Sequence, residues 1–529
     1  MIKLRVFTDK KKKVMKRINK GSSILAVTIL IIVGKLLGFV REVLIADAFG
    51  AGNVVDSFLM SESSAVIILG WLASFAVVFT PIYQDIRGKA GNRKADNYMS
   101  SLLLLVITLG MISTIVSVCF KEVIIKLCAP GFNEQNLQLT GQFFTVVVWN
   151  QILAGITGVL YACLNCINKR VLSNLSFVIL GVVQLLGVVV ARFYRNSNVL
   201  GWGLLASYVA QMFFLCLICK REGCVFFFKN YDKENVAVSI RQIIPVFIST
   251  MIADINVFFD RMFASMLEEG IVSVLHYASR IRILFSYVFS QLLITFFYPD
   301  LAEILTTKSS QDYQVYIKRT VLTVMSLFVP LTMGSVLLSD YLIWAVYGSR
   351  SFDSDQFEMM VTALVIYNIS LPVLAIRDLF IRVLYVEKKS QICLYISATA
   401  VTLNIAGNYL LMPVLGYKGL AIATSLSAYF SAVIYYFVLK KEYGSFIFDK
   451  ETVIEICKIV GASCIMGIIV YGLRLLTNIV FLPASRFSSF MILVGLAVVG
   501  ILVFGILGLI FKMDIMRTIT AKLGKQNEV

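Results

Sequence analysis

Lys35, Arg41 and Glu42 stand in the stretch GKLLGFVREVLIADAFGAGNVVDSF, residues 34–58, inside an apolar run long enough to cross a bilayer. A charge near the bilayer centre costs roughly 2.5–3.5 kcal/mol, against roughly 0.3–0.6 kcal/mol gained per large apolar residue. Three such charges cancel most of what their helix gains on insertion, so they need a binding or pairing task. At about 100° per residue, Lys35 and Glu42 are nearly eclipsed and Arg41 lies one step round, so the three share a third of the helix circumference. Gly34 and Gly38 beside them permit close helix approach. The pattern recurs further along the chain. Asp254 and Arg261 share a face at the same seven-residue spacing, with Asp260 next to Arg261. Ser273, His276 and Arg280 form a stripe at i, i+3, i+7, and Asp378 and Arg382 form an i, i+4 pair that leaves Arg377 without a local partner.

Eight bases lie within apolar segments: Lys35, Arg41, Arg261, Arg280, Arg282, Arg377, Arg382 and Lys458. The acids counted against them are Glu42, Asp254, Asp260 and Asp378. Charges inside spans face a cavity or a partner. A basic cavity takes an anion, and the planar fork of arginine suits phosphate. Plainer roles stand beside this one. Arg282, Arg382 and Lys458 can snorkel to the membrane surface. Arg41 and Arg280 can serve static ion pairs, and His276 can be a helix-packing residue or a proton relay.

The elements that must carry these residues are helices. The chain has 529 residues, 59% hydrophobic and 15% charged, with mean hydropathy +0.85. Apolar runs of about 20 residues, the length that spans a bilayer core, fall near 22–46, 55–83, 98–127, 140–165, 172–191, 200–219, 242–266, 271–298, 318–338, 357–386, 390–412, 419–439, 454–476 and 485–511. They predict an all-α integral membrane protein of about 14 transmembrane helices. The net charge of +17 sorts by side: 32 Lys and Arg fall on the two termini and alternate loops, and 8 on the other loops and span ends. This asymmetry predicts both termini in the cytoplasm and argues against a nucleic-acid partner. The N-terminal stretch, residues 1–21, reads as a basic cytoplasmic segment facing an acidic leaflet, followed by an anchor too long for a signal-peptide core. Residues 512–529 read as a cytoplasmic tail.

The chain also repeats itself. At a shift of 218, Ala46 meets Ala264, Gly52 meets Gly270, and VFTPIYQDI (78–86) meets FFYPDLAEI (296–304). GWGL (201–204) pairs with YKGL (417–420) at a shift of 216. An even number of helices separates the copies, so both keep one orientation in the membrane. This predicts two pseudo-symmetric six-helix lobes, 22–219 (spans 1–6) and 242–439 (spans 7–12), around a central cationic cavity, with spans 13–14 (454–511) added.

Two C-x-x-C pairs, Cys163/Cys166 and Cys216/Cys219, sit at the ends of apolar helices, where cysteine acts as a small hydrophobe. With one histidine in the chain, no metal centre and no cofactor are expected. No P-loop, nucleophile–base motif or sizeable loop domain points to an enzyme. Coupling to the membrane potential or to an ion is the expected energy source.

GKLLGFVREVLIADAFGAGNVVDSFLMS resembles the first-helix signature of the MurJ (MviN) lipid II flippases, members of the multidrug/oligosaccharidyl-lipid/polysaccharide exporter superfamily. DRMFASMLEEGIVSVLHYASRI (260–281) is similar to that family's span 7–8 segment. The resemblance covers nearly the whole chain. It implies two lobes in a V, a cationic cavity for a diphosphate-linked sugar, a groove by spans 13–14 for the polyprenyl tail, and a multi-pass protein of the bacterial cell membrane. Arg41 and Glu42 match the arginine and acid of its GF-x-R-[DE] motif, Asp56 an acid in GAG-x-x-x-D, and Arg280 the arginine of YA-x-R. Lys35 stands where many members have arginine. One departure lies in span 2, where an arginine-bearing segment of proteobacterial members is replaced by AVIILGWLASF (65–75), with Ile67 and Ile68 near the arginine positions. That contact is either absent or supplied elsewhere, by Arg261 or Arg377.

The expected function is therefore outward flipping of lipid-linked peptidoglycan precursor by alternating access, by a monomer. The alternatives are a flippase for another polyprenyl-diphosphate oligosaccharide, or a multidrug antiporter of the same superfamily. The antiporter expects about twelve spans and an acidic cavity.

Overall fold

The computed structural model describes residues 2–226, 231–293, 297–307, 309–348, 351–444, 449–480 and 486–516, with side chains from residue 25 onward except at 288, 292, 306, 310 and 478–480. The side chains of the basic N-terminal segment and residues 517–529 of the predicted tail lie outside the described residues. Every regular element among those described is a helix. By contacts the chain forms two units, one of residues 1–49 and 53–266, the other of 50–52 and 267–529.

The first unit holds α1 (Ile2–Phe49), α2 (Asn53–Leu69), α3 (Trp71–Ala90), α4 (Asn92–Cys119), α5 (Lys121–Cys128), α6 (Glu134–Val147), α7 (Trp149–Cys166), α8 (Arg170–Tyr194), α9 (Asn198–Arg221) and α10 (Lys233–Ala264). α1 lies along α8, α8 along α9, α3 along α7, and α2 against α6. Polar residues start helices where the chain needs a stop for orphan N–H groups: Asn133 accepts from Asn136 N at α6, and Asp232 from Asn235 N at α10. α2 and α3 meet at a bend of 49°. The bend falls at Gly70, where a Cβ would sit 2.4 Å from the Val66 carbonyl oxygen. Span 7, placed by the repeat at the head of the second lobe, is α10 here and packs on α2, α3 and α4 of the first unit.

The second unit holds α11 (Ile271–Leu292), α12 (Tyr298–Thr307), α13 (Ser310–Leu337), α14 (Ser339–Tyr347), α15 (Ser354–Ile369), α16 (Leu371–Val386), α17 (Ser390–Leu415), α18 (Tyr417–Tyr443), α19 (Lys450–Val480) and α20 (Arg486–Ile510). α15 and α16 meet at a second bend, of 44°. α19 and α20, spans 13 and 14, pack on α13 and α14 and on each other. There Arg474 donates to the Leu337 carbonyl at 2.5 Å and pairs with Asp340 at 2.7 Å. Residues 50–52 are clipped into this unit: the Tyr277 hydroxyl donates to the Gly50 carbonyl at 3.0 Å, and Gln356 Nε2 to that of Ala51 at 2.7 Å.

The internal repeat reappears in backbone geometry. After α7, Asn168 takes φ 64°, and after α16, Lys388 takes φ 61°. Each turn is closed the same way, Lys169 N to Leu164 O and Lys389 N to Leu384 O, both at 2.8 Å. This is the left-handed C-terminal cap that reverses a helix into its neighbour. The positions differ by 220. At the same shift, Gly187 on α8 faces Gly203 on α9, and Gly407 on α17 faces Ala423 on α18.

Ten described helices are long and apolar enough to cross a membrane, or up to twelve if each bent pair is one span. Each of the fourteen apolar runs carries helix, but α1 and α11, which bear Arg41 and Arg280, are not among those counted. The chain is a multi-pass helical membrane protein.

Candidate functional site

In the first unit, Arg41 is the centre of a polar cluster that α1, α2 and α8 build together. Its Nη2 donates to Glu42 Oε1 at 2.7 Å and its Nη1 to Gln184 Oε1 at 3.3 Å. Glu62 Oε1 on α2 lies 3.9 Å from Nη1. The Arg41 side chain is 12% exposed, Glu42 is buried, and Arg41 Nε has no hydrogen-bond partner. Two carboxylates and an amide therefore hold this cation in a largely dehydrated place. Broken one-sidedly, such a pair costs about 3–5 kcal/mol because a buried charge is stranded.

Arg261 on α10 reaches the same helix, α2. Its Nη1 donates to the Leu59 carbonyl at 2.7 Å and to Ser63 Oγ at 2.5 Å. One turn of α2, residues 59–63, thus meets both guanidinium groups. Lys35 is exposed on α1 and Asp254 on α10, while Asp260 accepts from Asn256 Nδ2 at 3.3 Å. Asp56 is wholly buried in the first turn of α2, where an acid complements the helix dipole.

In the second unit, α11 places Arg280 Nε 3.2 Å from Nε2 of buried His276. That nitrogen accepts from the guanidinium, so the imidazole serves as an orienting partner for the cation. Arg377 and Asp378 on α16 correct the expected pairing. Arg377 donates through Nη2 to Asp378 Oδ1 at 2.9 Å, and Ser290 of α11 donates to Asp378 Oδ2 at 3.1 Å. Asp378 thus pairs with its neighbour in sequence, its Oδ1 taken by Arg377 and its Oδ2 by Ser290 of α11; Arg382, one turn on, is half-buried. Arg282 stacks over the Tyr367 ring at 4.8 Å to its centroid, where snorkelling was one expectation.

Sequence reasoning missed Glu62, Gln184 and Ser63. Glu62 was recognisable as an acid in the S-E-S-S run (61–64) inside an otherwise apolar span. It belongs with the embedded acids and lowers the excess of positive charge. Gln184 and Ser63 carry no signal of their own in an uncharged apolar background.

Long apolar helices in two units, with Arg41 and Arg280 half-buried on two of the less apolar ones, define a polytopic helical membrane protein. A multidrug-resistance transporter of the MATE family and MOP superfamily, solved inward-facing, shares the fold at TM-score 0.61 and 15% identity over 78% of this chain and 95% of that one. A lipid II flippase MurJ in an inward closed conformation matches at TM-score 0.78 and 20% identity, over 93% of this chain and all of that one. The family model for lipid II flippase MurJ matches residues 45–517, and the chain belongs to that family. Similar sequences include a probable lipid II flippase MurJ of Buchnera aphidicola subsp. Baizongia pistaciae, 22% identical over 78% of this chain and 82% of the relative. Another, from Rhizobium tropici, is 23% identical over 83% and 84%.

Proposed function

We propose that this protein moves lipid II, the lipid-linked peptidoglycan precursor, from the inner to the outer leaflet of the bacterial cell membrane by alternating access. It does so without catalysing a covalent step. The observation that carries the reading is the Arg41 cluster, a buried guanidinium on the family's first-helix motif, neutralised by Glu42 and with Glu62 at 3.9 Å. A diphosphate reaching the Arg41 cluster offers the guanidinium a doubly charged partner in exchange for its carboxylates. Lys35, Arg261, Arg280 and Arg377 supply further positive charge, and His276 sets the direction of the Arg280 fork. Exchange of one partner for another keeps the charge paired in both states, so the two differ little in energy and substrate can shift the balance.

Arg261 is the group that stands in for the arginine missing at Ile67 and Ile68, because it lays its guanidinium on α2, the helix that lacks it. Fourteen crossings with both termini in the cytoplasm, a tail groove by α19 and α20, a monomer, and coupling to membrane potential or to an ion complete the proposal. A different polyprenyl-diphosphate oligosaccharide fits the same cation chemistry, and the altered span 2 favours keeping it as the second reading. The test is depletion of the protein in its own host followed by analysis of lipid-linked intermediates, together with reconstitution in vesicles. Accumulation of lipid II and protein-dependent exposure of labelled lipid II on the far leaflet support the first reading. Accumulation of another lipid-linked glycan, with lipid II unmoved, replaces it by the second.

A further inference from the structure

Helix α7 ends, α9 ends, and the loop that follows α9 turns back toward both. The two C-x-x-C pairs do not act as pairs at this point. Each lends one cysteine, Cys163 from α7 and Cys219 from α9, to a cluster completed by Cys224 of the loop. All three are buried, at 0%, 0% and 7% exposure. Their sulfur atoms lie within 4.8 Å of one another, with Cys163 and Cys224 at 3.8 Å.

The backbone holds Cys224 in this place. Gly223 takes φ 86°, Cys224 N donates to the Cys219 carbonyl at 3.0 Å, and Val225 N donates to Asp96 Oδ2 at 3.1 Å. Asp96 is itself fixed by the Tyr83 hydroxyl at 3.0 Å. The loop is therefore tied down on both sides of the cysteine, which a packing role for one small side chain does not call for. With a metal–sulfur bond of about 2.3 Å, thiolates sharing one ion stand roughly 3.8–4.0 Å apart, so the observed separation needs only a small adjustment.

We propose that Cys163, Cys219 and Cys224 form a three-sulfur site for a single thiophilic metal ion of the Cu(I) class. No His, Asp, Glu or further Cys ligand atom joins the three among the described residues. A three-coordinate soft set suits Cu(I), whereas structural Zn(II) sites take four ligands. Binding replaces the protons on the coordinating sulfurs, which leave to solvent, and no electron is transferred.

The experiment uses the full chain purified in detergent under anaerobic, thiol-free reducing conditions, titrated with Cu(I) against a chromogenic Cu(I) chelator. One equivalent should bind per chain and protect three cysteines from alkylation. Cys224→Ser, a change in a loop, should lower affinity by more than the roughly 10–100-fold typical of outer-shell changes, while Cys166→Ser should not. Thermal unfolding of each variant without metal separates lost ligation from lost folding. The site is overturned if Cys224→Ser, folded, binds Cu(I) as the parent does, or if the folded parent binds none. A Cys163–Cys224 disulfide in the isolated parent, or retention of Zn(II) in preference to Cu(I), equally replaces the assignment.

Discussion

Arg41 carries a cost that decides how it must be tested. Alanine there strands buried Glu42, at about 3–5 kcal/mol, so lost transport in Arg41→Ala alone does not distinguish binding from folding. Arg41→Lys keeps the charge and loses the fork. It should accumulate normally and transport several-fold more slowly, and full activity at normal expression would make the pair structural. Glu42→Gln should tighten binding of a polyprenyl-diphosphate sugar and slow its release, since Arg41 loses a competing carboxylate. Unchanged affinity with a lowered melting temperature would show that the pair serves packing alone. Both residues were legible in the sequence because a charge in an apolar run announces itself. Gln184 and Ser63 were not, because uncharged polar groups are cheap enough in a helix bundle to occur without any ligand role. The Asp378 pairing was misread for a different reason. Spacing along one helix gives i, i+4 neighbours, but Ser290 on another helix turns the carboxylate toward Arg377.

Among the helices, the turns after α7 and α16 make opposite demands on their central residues. A left-handed conformation costs an L-residue roughly 1–2 kcal/mol, less for asparagine. Lys388→Gly should therefore raise stability by about 1 kcal/mol, read as a higher melting temperature, while Asn168→Gly should change little. A lowered melting temperature in Lys388→Gly would contradict this. The α8–α9 and α17–α18 crossings make a second comparison. A Cβ on Gly187 would lie 2.8 Å from Gly203 Cα, while one on Gly407 would lie 3.0 Å from the Ala423 Cβ. Gly187→Ala should cost about 1–3 kcal/mol by overpacking and Gly407→Ala less, because its closest contact is longer. The repeat was legible where side-chain identities survive, around Gly52 and Pro81. At 168 and 388 it survives only in φ angles and hydrogen bonds, which the letters Asn and Lys do not reveal.

The orientation of the whole chain rests on its charge asymmetry. In a background without the native cysteines, Glu268→Cys should react from outside the cell with a membrane-impermeant thiol reagent. Lys89→Cys and Lys441→Cys should react only after the membrane is opened. Outside labelling at Lys441 would break the fourteen-crossing scheme. The boundary between the two halves was hard to read from the sequence. Repeat logic starts the second lobe at residue 242, yet α10 packs with α2, α3 and α4, and the second unit starts at 267. Sequence similarity records ancestry, whereas packing records which helix faces meet.

The Arg474 grip on Asp340 also has a history in the life of each molecule. The two residues are 134 positions apart. At a synthesis rate of roughly 5–20 residues per second, Asp340 leaves the ribosome on the order of ten seconds before the arginine that pairs with it. Through that interval α13 and α14 are in place without the guanidinium that claims both the acid and the last carbonyl of α13. The final two helices thus act as a late clasp, and a nascent chain halted after α18 would present an open carboxylate to the insertion machinery.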